Sequence, residues 1–149
     1  MAIIPNAALR EKFVTGRIDL VQTVNVFGYT AAFAAYRDGQ PWLDELLRYL
    51  EANRDFVSEY VRTRLPGVAM HPPEATYLAW LDCRSAGEAG RDPFTFFLEN
   101  ARVALNDGAL FGPGGAGHVR LNFGCPRSML AKALDQMRKA VTAGRPAPV

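Results

Sequence analysis

The sequence is short of lysine, histidine, cysteine and long apolar runs, and each shortage closes off a class of function. Two cysteines, Cys83 and Cys125, stand 42 residues apart with no C-x-x-C pair. They read as reduced thiols of a cytoplasmic protein, not as a disulfide framework. The two histidines, His71 and His118, do not combine with them at zinc spacing, so no metal site is expected. His118, beside a glycine-rich loop, reads as a surface residue. Ser58, Ser85 and Ser128 lack the elbow motif of an activated serine. The most apolar stretch, 27–36, has about half of the ~20 residues needed to span a bilayer, so no membrane partner is expected. Met1–Pro5 has neither a basic n-region nor a long apolar h-region, so a signal peptide is not expected. Net charge is +2, without a dense basic stripe, a poor footprint for nucleic acid.

What is present is a chain of 149 residues, 49% hydrophobic, enough for one domain or one domain and part of another. Asn6 is placed to cap a short helix after Pro5. A second helix over 27–37 is apolar on nearly every face and stops at Asp38-Gly39. A helix of that kind is covered on more than one side, here by something outside the chain or by a partner subunit. Pro41 opens a long amphipathic helix with Leu43, Leu46, Leu47, Leu50, Val57, Tyr60, Val61 and Leu65 at helical spacing, ended by Pro66-Gly67. Strands are predicted at 68–70, 76–81 and 119–123, with a short extended piece at 104–106. A helix over 92–103 is expected between the second and third of these. The last helix, after Pro126, carries Met129, Leu130, Ala133, Leu134, Met137 and Val141 on one side. The fold class is therefore α+β, with helices packed on a small, mostly antiparallel sheet.

Gly112–Gly117 matches G-x-G-x-x-G in form. A strand follows it and Pro113 interrupts it, so it reads as a loop whose glycines let backbone pass close to a ligand or another segment. Arg120 is the most informative position. It lies in the middle of an alternating, mostly apolar strand directly after that loop. It is either a structural arginine, paired with an acid or reaching to the surface, or a planar fork for a carboxylate.

The runs Leu105–Gly112 and Gly115–Phe123 resemble the C-terminal signature of the class I/II aminotransferases of fold type I, which depend on pyridoxal 5'-phosphate (PLP). Glu74–Asp82 resembles an earlier small-domain strand of that family. The spellings EATYLAWLDCR, VALNDGALFG and RLNFGCPRSML, with Phe27–Ala31 and Gly39–Asp44, are most like its cystathionine β-lyase branch, the MalY/PatB-type C–S lyases. The likeness runs over about residues 3–141.

The resemblance implies the C-terminal small domain of a fold type I PLP enzyme over 41–145, including a long interdomain helix, preceded by a remnant of the large PLP-binding domain over 1–40. It implies that Arg120 holds a substrate α-carboxylate and that Tyr77 borders the substrate pocket, where plain core packing is the alternative. It implies that Asn25 lies near the partner subunit's site in a homodimer. Small amino acids are the implied substrates. The family's Schiff-base lysine stands in a Ser-x-x-Lys context, and none of Lys12, Lys132 and Lys139 has it. The expectation is a fragment that binds no PLP and is inactive alone, from a parent that is a PLP-dependent lyase or aminotransferase. The alternative is a stand-alone, non-catalytic dimerisation or binding module that keeps the small-domain fold.

Overall fold

A computed structural model describes residues 2–17 and 24–143. Residues 1–43 and 44–149 form two compact units. In the first, the Asn6 side chain accepts a hydrogen bond from the Leu9 amide and starts α1 (Ala7–Gly16). Asn25 does the same for α2 (Val26–Asp38) through the Gly28 amide, at 2.8 Å. An Asx side chain at this position satisfies an amide that the helix itself cannot. No residue of α2 is buried, and Phe27 is 81% exposed.

In the second unit, helices cover one face of a four-stranded antiparallel sheet of order β1-β2-β4-β3. The strands are β1 (Ala69–Met70), β2 (Leu78–Asp82), β3 (Asn106–Asp107) and β4 (His118–Asn122). The covering helices are α3 (Gln40–Arg64), α4 (Pro93–Phe96) and α5 (Arg127–Thr142). The predicted order of elements and the α+β class both hold. Period-two alternation sends Ala79 and Leu81 of β2, and Val119 and Leu121 of β4, into the core. There they join Val57, Tyr60 and Val61 of α3 and Leu130, Leu134, Met137 and Val141 of α5. Each of the valine, leucine and methionine side chains among these, fully buried, contributes about 1.5–3 kcal/mol.

The structure departs from the sequence expectations in three places. α3 buries Asn53, Val57, Tyr60 and Val61, whereas Leu43 and Leu47, on the predicted apolar face, are exposed. Met129 is exposed too, one residue before the core-facing Leu130. The predicted helix over 92–103 becomes α4, capped by Asp92, followed by a π-helical turn at Phe97–Ala101 that stops at Arg102 in the left-handed conformation, φ 56°.

The polar residue in the core is a fastener. Asn53 is fully buried, and its amide nitrogen donates to the carbonyls of Phe123 and Cys125, both at 2.9 Å. Its oxygen accepts from Arg127 Nε at 2.7 Å. The Arg127 amide donates to the Tyr49 hydroxyl at 2.7 Å, and its guanidinium lies 4.5 Å from the Phe56 ring centre. α3 is thereby tied to the turn that leaves β4.

Candidate functional site

The pleat that sends Val119 and Leu121 inward turns Arg120 to the opposite face of the sheet. The register then chooses its neighbours: Trp80 lies directly across from it on β2 and Asn106 directly across on β3. Side chains opposite one another in antiparallel strands share a face and touch. Asn106 Oδ1 accepts from Arg120 Nε at 3.3 Å and from Nη2 at 3.2 Å. The guanidinium carbon lies 4.5 Å from the Phe111 ring centre, and Trp80 meets that ring edge-on at 5.6 Å and 86°.

The glycine loop sets Phe111 beneath the arginine. A 3₁₀ turn over Gly108–Phe111, capped by the Asp107 side chain, follows β3. The chain returns so close to it that a Cβ on either Gly108 or Gly115 would overlap the other's carbonyl oxygen. Two further bonds, from the Gly115 amide to Gly112 O (3.1 Å) and from the His118 amide to Gly115 O (3.2 Å), complete the loop. These glycines serve close approach of two backbone segments, one of the two uses expected for them.

His118 is a correction: it is buried, not a surface residue. Its ring stacks on Trp80 at 5.5 Å and 17°, with Nδ1 3.0 Å from Ala116 O and Nε2 3.7 Å from an Asp82 oxygen. The large indole across the sheet covers an imidazole that the loop composition alone would leave open. Asp82 is also held by Arg84, at 2.6 Å. That hydrogen bond, with the Arg84 charge and the smaller influence of His118, keeps the Asp82 carboxyl well below the usual range, at about 2. Behind the sheet, burial and then the Asp82 charge push the Cys83 thiol up to about 12.

Tyr77 precedes β2, is 48% exposed and packs beside Gly124, while its carbonyl accepts from the Phe123 amide at 2.9 Å. On β2 it is Trp80, directly across from Arg120, that shares its face. Asn25 caps α2 in the first unit. Asn122 shares the face of Arg120 and turns the chain after β4 by accepting from the Gly124 amide at 2.8 Å. Asn106, Phe111 and Asn53 were not singled out in the sequence. The one signal for Asn106 was pairing of β3 with β4 around the glycine loop.

No carboxylate of the described residues pairs with Arg120, in contrast to Arg37, Arg54, Arg62, Arg84 and Arg138, each of which meets an acid at 3.2 Å or less. Asn106 occupies the Nε–Nη2 edge, and the terminal Nη1–Nη2 edge has the geometry for a bidentate carboxylate. The donor set around Arg120 does not fit a PLP site: Trp80, Asn106, Phe111 and His118 supply no amine. Lys132 and Lys139 belong to α5, which packs on the other face of the sheet, and Lys139 is paired with Asp135. No group of three His, Cys, Asp or Glu side chains among the described residues could hold a metal ion. No described helix is long and apolar enough to cross a membrane.

The chain matches no family model. It is 38% identical over 141 residues to cystathionine β-lyase PatB of Bacillus subtilis, covering 94% of this chain and 36% of PatB. It is 36% identical over 146 residues to MalY of Escherichia coli, covering 96% of this chain and 37% of MalY. The PLP-bound C–S lyase of Staphylococcus hominis superposes with a TM-score of 0.85 at 29% identity, over 97% of this chain and 38% of that one. The chain thus spans about a third of the length of the curated relatives it matches.

Proposed function

We propose, from the premise that the chain belongs to the fold type I PLP family as its C-terminal part, on the cystathionine β-lyase branch, that it supplies the substrate α-carboxylate site of a C–S β-lyase or aminotransferase acting on amino acids. The observation that carries this reading is the environment of Arg120. It is fixed in place by a neutral amide and an aromatic face, and no acid among the described residues neutralises it. A guanidinium in that state offers two parallel charge-assisted bonds, each worth about 1.5–3 kcal/mol. Its part is to bind and orient the substrate, a positioning contribution to rate. PLP supplies the electron sink in such enzymes. In this reading the cofactor is held by polypeptide other than the unit that carries Arg120, in a cytoplasmic homodimer with residues 1–40 belonging to the large domain and 41–145 to the small one. Asn25 lies near the partner's site and Tyr77 at the pocket border. This chain alone is inactive and holds no PLP.

The test uses the complete PLP-loaded protein. Losing the two bonds in Arg120→Ala lowers kcat/KM for an amino-acid substrate by about 10²–10⁴, while PLP absorbance is unchanged. Unchanged kcat/KM, or turnover by residues 1–149 alone with PLP, contradicts the proposal.

A further inference from the structure

We propose that Asn106 is a positioning residue whose neutrality keeps Arg120 available to a carboxylate, an inference that rests on the carboxylate reading of that arginine. Its side chain reaches Arg120 because β3 and β4 pair with Asn106 opposite Arg120. The single Asn106 oxygen bridges Nε and Nη2, so it fixes the side edge of the guanidinium and sets the direction of the terminal edge. Phe111 lies under the same guanidinium, at 4.5 Å. The plane is therefore defined by two groups, neither of them charged.

Other arginines of the chain show what an acid in this place does. Arg84 meets Asp82 at 2.6 Å, and Arg62 meets Glu59 at 2.6 Å. The bonds from Arg120 to Asn106, at 3.2 and 3.3 Å, are longer than the roughly 2.7–2.9 Å of a charge-assisted pair. Asn106 orients without capturing.

An acid is present one residue further along β3. Asp107 pairs with Val119, so the pleat turns its side chain away from the face of Arg120, and it caps the following 3₁₀ turn through the Ala109 amide at 3.0 Å. The amide-then-acid order of Asn106-Asp107 thus keeps a charge out of contact with the guanidinium while using that charge to build the turn that carries Phe111. Moving the carboxyl to position 106 would make Arg120 an internal ion pair.

The test follows the Arg120 side-chain Nε–H resonance by NMR at neutral pH, assigned by its loss in Arg120→Ala, in the wild-type chain, Asn106→Asp and Asn106→Ala. Acetate is the probe and acetamide its neutral control; the Val119 and Leu121 amides report whether the sheet is intact. In the wild type, acetate shifts the resonance and acetamide does not. Asn106→Asp lowers the shift per unit of acetate at least tenfold with the sheet amides in place. Asn106→Ala, which adds no charge, broadens the resonance and lowers the response severalfold. A structural role alone would alter the sheet amides without changing the preference for acetate over acetamide. Responses in both variants equal to wild type overturn the role of Asn106 and leave the carboxylate reading standing. No response to acetate in the wild type overturns that reading and this inference with it.

Discussion

Replacing Asn53 by alanine should be among the most costly single changes in the second unit, because one fully buried amide serves three partners. The substitution strips donors from the carbonyls of Phe123 and Cys125 and the acceptor from Arg127 Nε. Each unsatisfied buried group costs about 1–3 kcal/mol. The Phe123 carbonyl belongs to a buried residue, whereas Cys125 and Arg127 are half-buried and recover part of the loss through water. The sum is about 3 kcal/mol, or roughly 10–20 °C in Tm for a unit of about 100 residues. Urea unfolding followed at the Val119 and Leu121 amides measures it, with an unchanged slope m as the sign that only stability moved. Asn53→Leu conserves volume and should lose a similar amount, which separates polarity from packing. A loss below about 1 kcal/mol in both variants would refute the reasoning, since it lies under the penalty for a single orphaned group.

Two further outcomes follow from the same structure. Iodoacetamide at pH 8 should modify the half-buried Cys125 and spare Cys83, whose burial keeps it in the thiol form with its titration pushed up to about 12; mass mapping of the native protein that finds Cys83 labelled first contradicts this. Asp82 titrates in the fold at about 2, below the ordinary 3.8, so its contribution is complete above pH about 4 and is lost as pH falls through about 2. Because Arg84 is open to solvent and Asp82 about a third exposed, screening limits that contribution to about 1 kcal/mol. Urea midpoints between pH 2 and 5 should therefore fall less steeply in Asp82→Asn than in the wild type, and parallel curves would contradict the assignment.

Most of the fold was legible because its elements carry local signals: Asn6 before α1, Pro41 in the first turn of α3, alternation through β4, and a 3.6-residue stripe along α5. What was missed depends on contacts distant in sequence. The apolar stripe of α3 pointed to Leu43 and Leu47, but the core accepts this helix only from Asn53 onward, and a buried asparagine carries no periodic signal. Its partners lie 70 to 74 residues away. His118 was misread for the same reason, since its cover is Trp80 on another strand. In the candidate site, Arg120 was conspicuous as a cation inside an apolar alternation. Asn106 and Phe111 become its neighbours only once β3 is paired with β4 and the glycine loop is closed.

In the proposed function Arg120 reads a carboxylate, and a crystal structure of the complete protein with a bound amino-acid inhibitor tests this. Both inhibitor carboxylate oxygens should lie within hydrogen-bonding distance of the terminal Nη1–Nη2 edge of Arg120, with Asn106 still on its Nε side. A carboxylate held by other residues, with Arg120 turned away or paired with an acid of the protein, would contradict it.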